Sequence, residues 1–271
     1  MNVAWTEGDV VVGGVRLHHA RAGRGSPVLL LHSLTENGRC WGRIAEALAG
    51  SHEVILLDQR AHGKSEAPAH GYSLADLAED AAGLLGALDF TCSAVVGHSI
   101  GASVGLTLAA TYPHLVTRLV LEELPLHLEP TGGLLGPDPE QARSHLVESL
   151  HHLHSRSFQT VLAERQVTKP SWHAAEHTAW VEGKLQFNPR FLAEGGASLI
   201  GPWRQQMEHV TCSVLLVRGD LALGSHVDGE KAAEAMRLLQ HGTQVHIAGA
   251  GHNPHRDRFE EFAAAVEPFL E

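Results

Sequence analysis

Cysteine is scarce in this chain of 271 residues: there are three, Cys40, Cys92 and Cys212. None belongs to a C-x-x-C pair, and an odd count argues against a disulfide framework. Positive charge is also short. Twenty Lys and Arg face 31 Asp and Glu, a formal charge of −11. That balance argues against nucleic acid or an anionic membrane as partner. No apolar run is long enough to span a bilayer. The segment from Met1 to Asp9 has neither a basic n-region nor an apolar h-region. The expectation is a cytoplasmic protein with no membrane partner. There is no G-x-G-x-x-G fingerprint and no P-loop, so no nucleotide cofactor is expected.

Histidine, by contrast, is abundant, at 21 residues. Imidazoles titrate near pH ~6.5, so mild acidification would shrink the net charge. The reading is a histidine-rich surface. In the cluster His151-His152-Leu153-His154, His151 and His154 share one helix face. No carboxylate or cysteine completes a ligand pattern there, so no metal is expected. With 44% hydrophobic and 19% charged residues the chain is globular and fits one large α/β domain, with room for an insertion.

Along the chain, Val10–Val12 and Val15–His19 flank Gly13-Gly14 and read as a β-hairpin. Pro27–Leu31 and Val54–Leu57 are continuous apolar runs, as expected of strands covered on both faces. Helix follows the first of these through Trp41–Leu48, and another is expected over about 74–88. Ala94–Val96, Leu119–Leu121, Val214–Val217 and Val245–Ile247 are further strands, and strands and helices alternate. That rhythm predicts a mostly parallel sheet flanked by helices. Residues of about 126–208 break it and read mainly as helices. The expected organisation is a core of 1–125 and 209–271, with 126–208 a helical cap inserted after the strand at 117–122.

Gly97-His98-Ser99-Ile100-Gly101 is a G-x-S-x-G pentapeptide. It joins the strand Ala94–Val96 to a helix rich in small residues. A sharp turn there holds a serine hydroxyl clear of the sheet, and the flanking glycines remove side chains where strand and helix approach. Ser99 then needs a base and an oxyanion hole. His252, on the Gly-rich loop Ala248–Gly251 after the last strand, is placed to be the base. The amide of Ile100, next to the serine, is one expected oxyanion donor. Leu34, in the loop His32-Ser33-Leu34-Thr35, is the other.

These segments resemble α/β-hydrolases of the lidded esterase and lactonase kind over nearly the whole chain. Asp58-Gln59-Arg60-Ala61-His62-Gly63-Lys64-Ser65 is similar to the family's D-x-R-G-x-G-x-S loop, with Ala61 in place of its first glycine. Ser33 stands where the family usually has glycine. The resemblance implies a triad acid, most often after the strand Val214–Val217. Ala222 occupies that place here, and Asp220 lies two positions early. A minority of the family carries the acid after the preceding strand, where this chain has Glu122-Glu123-Leu124-Pro125. That Glu-Leu-Pro resembles the acid site of zearalenone-type lactonases. Glu123 is the expected acid, with Asp220 and Glu122 as alternatives. The same resemblance points to Trp180 as a substrate contact, and His32 and Ser33 line the same mouth.

The resulting expectation is hydrolysis of a small-molecule substrate, a carboxylic ester or lactone, through an acyl-enzyme, extending to a zearalenone-type macrolactone. The alternatives are a C–C bond hydrolase of the same fold and a ligand-binding receptor on the same scaffold. Oligomeric state is left open.

Overall fold

A computed structural model describes residues 3–126, 139–195 and 201–271. Parts of the expected cap, 127–138 and 196–200, lie outside the described residues. Strands are β1 (Thr6–Val12), β2 (Val15–Gly23), β3 (Pro27–Leu31), β4 (Glu53–Leu57), β5 (Ser93–His98), β6 (Val116–Glu122), β7 (Ser213–Arg218) and β8 (Gly242–His246). They form one sheet in the order β1-β2-β4-β3-β5-β6-β7-β8. β1, β2 and β4 pair antiparallel, and every pairing from β4 to β8 is parallel. The hairpin turn is Gly13-Gly14, both with positive φ, as its tight reversal requires.

Helices of the sheet layers are α1 (Gly42–Leu48), α2 (Leu74–Ala87) and α3 (Ile100–Thr111). Between β6 and β7 stand α4 (Pro139–His154), α5 (Phe158–Thr168), α6 (Ala174–Gln186), α7 (Arg190–Gly195) and α8 (Trp203–His209). After β7 come α9 (Gly229–Leu238), α10 (Pro254–Asp257) and α11 (Phe259–Leu270). Strand side chains alternate between two cores. Leu29, Leu31, Val95, Leu121 and Leu216 pack against α2, α3 and α9. Val28, Leu30, Val96, Val120 and Val217 pack against α1 and α11. Both faces are covered, which is why these strands read as unbroken apolar runs. No described helix is long and apolar enough to cross a membrane.

The Asp58–Ser65 loop is a clip. Asp58 accepts the Gly38 and Lys64 N–H groups at 2.7 and 2.8 Å. Arg60 grips the buried Asp80 with two bonds of 2.6 Å. Ala61 sits at φ 64°, the left-handed conformation that the family's glycine would adopt without strain. Its carbonyl accepts Asn188 N–H at 2.9 Å, so this turn also anchors the segment inserted between β6 and β7.

The histidines depart from the expected surface role. His19, His32, His52, His62, His98, His177 and His255 are buried. Burial depresses His62 well below the usual imidazole range, so its ring is a neutral packing element against Phe187 and Phe191.

Candidate active site

Ser99 lies between the end of β5 and the start of α3, at φ 54° and ψ −114°. Two close approaches hold this strained turn. A Cβ on Gly97 would lie 2.3 Å from the Gly101 carbonyl oxygen, and one on Gly101 would lie 2.1 Å from that of Leu31. Only glycines let helix and strand come so near. Ser99 N–H donates to the Glu122 carbonyl at 2.8 Å, closing the turn onto β6. Its side chain is half-exposed at the N-terminus of α3, where the helix dipole favours a developing negative charge. Neither the Leu34 nor the Ile100 amide donates to a protein acceptor among the described residues.

His252 stands on the loop between β8 and α10. Of the carboxylates considered from sequence, Glu123 is the one in contact with it: His252 Nδ1 lies 3.3 Å from Glu123 Oε2. Glu123 is fully buried and has φ 52°, a rare conformation for glutamate. Four donors converge on it. Gly219 N–H and the Ser225 hydroxyl reach Oε1 at 2.8 and 2.7 Å. His226 N–H reaches Oε2 at 2.6 Å, beside His252. Burial opposes the charge, yet the bonds from His252, His226, Gly219 and Ser225 outweigh it and hold the carboxyl below its ordinary pKa.

The alternatives are engaged elsewhere. Asp220 accepts Gly249 N–H and the His246 ring, both at 2.6 Å, and so ties the β7 loop to the β8 loop. Glu122 accepts the backbone N–H and the Nδ1–H of His255 at 2.8 Å. Burial pushes the Glu122 carboxyl up to about 7 and the His255 imidazole down to about 3. His98 completes this layer by donating Nε2–H to the His252 carbonyl at 2.7 Å. Ligand-type atoms of His98, Glu122 and His255 come within 4.8 Å of one another, while His98 Nδ1 and His255 Nε2 are buried without a hydrogen-bond partner among the described residues.

His32 is turned into the protein. Its Nδ1–H donates to the Ser33 carbonyl at 2.8 Å and its Nε2 accepts Gln59 N–H at 3.0 Å, which leaves no free polar atom for a substrate. Its expected role as a substrate contact gives way to one of shaping the loop. Ser33 is buried beside it. Trp180 is half-buried on α6, with the Arg165 guanidinium 4.2 Å and the Lys184 ammonium 5.0 Å from its ring centroid. The sequence reading missed Ser225, His226 and His98. The His226 ring stacks on His252 with centroids 3.9 Å apart. No local motif marks Ser225 or His226; only the fold brings them to Glu123.

The model of the alpha/beta hydrolase fold family matches residues 26–259. The chain belongs to this family. A 2-(acetamidomethylene)succinate hydrolase of Mesorhizobium japonicum is 29% identical to the hydrolase over 272 residues, covering 97% of this chain and 94% of that protein. A carbamate hydrolase, named putative, of Serratia proteamaculans is 28% identical over 239 residues and covers 84% of each. Among solved structures, an enol-lactonase from Burkholderia xenovorans superposes with TM-score 0.79 at 22% identity, over 97% of this chain and 99% of that one. That last likeness is one of fold.

Proposed function

We propose that this hydrolase cleaves a carboxylic ester or lactone by an acyl-enzyme mechanism. The observation that carries the reading is the contact of His252 with a buried, four-fold hydrogen-bonded Glu123, in a chain that also holds a serine in a strained elbow. Ser99 Oγ attacks the carbonyl carbon while His252 Nε2 takes its proton. Glu123 keeps the proton of His252 on Nδ1 and stabilises the imidazolium. The Ile100 and Leu34 amides receive the oxyanion. His252 returns the proton to the leaving alkoxide. Water, activated by the same imidazole, then releases the acid. A lactone stays attached until this second step, because acyl group and alcohol are one molecule.

In the same reading residues 126–208 form the cap over Ser99, and 1–125 with 209–271 form the core. The contacts between α6 and the Leu34 loop support it: Asn37 Nδ2–H donates to Gln186 at 2.8 Å, and Lys184 donates to the Thr35 hydroxyl. Cys40, Cys92 and Cys212 are free thiols, which suits work in the reducing cytoplasm. A zearalenone-type macrolactone falls within the reaction class, but the two cations against Trp180 favour a substrate with an acid group over a neutral macrolide.

The test is steady-state hydrolysis of an aryl acetate, an aliphatic lactone and a resorcylic macrolactone by wild type and Ser99→Ala. Turnover abolished by Ser99→Ala, together with labelling of Ser99 by a fluorophosphonate, is the expected result. Equal turnover by Ser99→Ala overturns the mechanism, and cleavage of a vinylogous diketone in place of all three esters makes the protein a C–C hydrolase.

A further inference from the structure

Among the described residues, two cations in the inserted helices have no carboxylate within ion-pair distance. Arg165, on α5, lays its guanidinium 4.1 Å from the Trp172 ring centroid and 4.2 Å from that of Trp180. Lys184, on α6, stands over the same Trp180 ring and donates its hydrogen bond to the Thr35 hydroxyl. Arg165 Nε is shut off from solvent without a hydrogen-bond partner among the described residues. Burial lowers Arg165 to about 10 and Lys184 to about 8; Arg256 adds to both shifts, and the Glu36 carboxylate opposes both without cancelling them.

The acids nearby are already taken. Glu36 grips Arg256 with bonds of 2.7 and 3.1 Å. Glu176 lies 3.4 Å from Arg256 Nε and accepts Arg43 N–H. Asp257 accepts the Trp172 indole N–H at 2.7 Å and Gly251 N–H at 2.9 Å, and lies 3.7 Å from Lys169. Among the described residues, neither Arg165 nor Lys184 has a carboxylate of its own.

A partly desolvated cation without a counter-ion is costly, and proteins keep one where a ligand supplies the charge. Its position is also telling. Thr35, which receives Lys184, directly follows Leu34, the proposed oxyanion donor. Lys184 is thus tied to the same loop that carries the proposed oxyanion donor. The guanidinium fork matches a carboxylate in two parallel bonds, and a flat indole packs against a short carbon chain.

We propose that Arg165, Lys184 and Trp180 form a subsite for a carboxylate carried by the substrate, so that the hydrolase acts on short-chain esters or lactones bearing a free acid group. This rests on the ester and lactone reading above for its reaction, but not for its binding.

The experiment compares mono-4-nitrophenyl adipate with its methyl ester, using wild type, Arg165→Gln and Arg165→Lys. Wild type is expected to favour the free acid in kcat/KM by at least tenfold. Arg165→Gln should lower that preference at least tenfold, mainly through KM for the acid, and Arg165→Lys should recover part of it. A wild-type preference near one, or an equal preference in wild type and Arg165→Gln, overturns the subsite. Binding is read separately, from quenching of tryptophan fluorescence by adipate in wild type, Ser99→Ala and Arg165→Gln. If neither ester is turned over, the ester reading fails, yet quenching present in Ser99→Ala and lost in Arg165→Gln upholds the subsite. Absence of adipate binding to wild type overturns it whatever the hydrolysis shows. Lys184→Gln serves as the second variant if Arg165→Gln does not fold.

Discussion

Replacing Glu123 with glutamine removes one charge and turns one oxygen into a donor. All four polar neighbours of Glu123 donate to it: Gly219 N–H, the Ser225 hydroxyl, His226 N–H and the His252 ring. The amide oxygen can keep two of these bonds. The most favourable rotamer keeps Gly219 and Ser225, which points the new NH2 group at His226 N–H and His252. His252 can avoid the clash by moving its proton to Nε2, and then it cannot accept the proton of Ser99. Loss of a triad acid by this tautomer route costs about 10⁴ in kcat, or about 5.5 kcal/mol of transition-state stabilisation. With that tautomer the new NH2 donates to His252 Nδ1, so His226 N–H alone loses its charged acceptor, which lowers fold stability by about 1.5–3 kcal/mol. The assay is kcat on the best ester of the panel, with the rate of fluorophosphonate labelling as a readout independent of substrate. Circular dichroism melts separate unfolding from lost catalysis. A Glu123→Gln enzyme within about tenfold of wild type, or an Asp220→Asn enzyme that loses as much, would refute the argument that Glu123 orients His252.

Gly101→Ala should be destabilised by about 1–3 kcal/mol and mispositioned at Ser99, because its Cβ would lie 2.1 Å from the Leu31 carbonyl oxygen; denaturant midpoints and labelling rate check this. The preference for an acid-bearing substrate should decline as pH rises through about 8, where Lys184 loses its proton, and a preference flat from pH ~7 to ~9.5 would show that Lys184 does not contribute. The same shift has a stability sign. Folded Lys184 holds its proton less tightly than an unfolded lysine of pKa 10.5, so the unfolded chain binds more protons between about 8 and 10.5. Wild-type stability relative to Lys184→Met should therefore rise with pH across that window, as read from urea midpoints.

Several features were legible because their physics is local. A strand buried on both faces must be apolar throughout, and a hairpin turn with two positive φ values favours Gly13-Gly14. Gly97 and Gly101 are dictated by backbone approach, so the elbow strand and helix could be placed from five residues. Ala61 looked like a departure from its loop, yet the backbone takes the glycine conformation there and accepts the strain. The histidines were read as surface residues because nothing in a sequence shows what surrounds a side chain. Seven of them are inside.

The sequence by itself determined the order of strands and helices, the serine at its sharp turn, and a histidine on the last loop. Each depends on residues adjacent in the chain. Tertiary structure alone decided which carboxylate meets His252, since Glu122, Glu123 and Asp220 all sit at strand ends and differ only in what closes around them. Glu123 is distinguished by a left-handed backbone and by donors about 100 residues away, at Gly219, Ser225 and His226. That Arg165 and Lys184 have no carboxylate of their own among the described residues was invisible for the same reason. Whether a cation lacks a partner depends on where every acid nearby has gone, and that is a property of the packed chain.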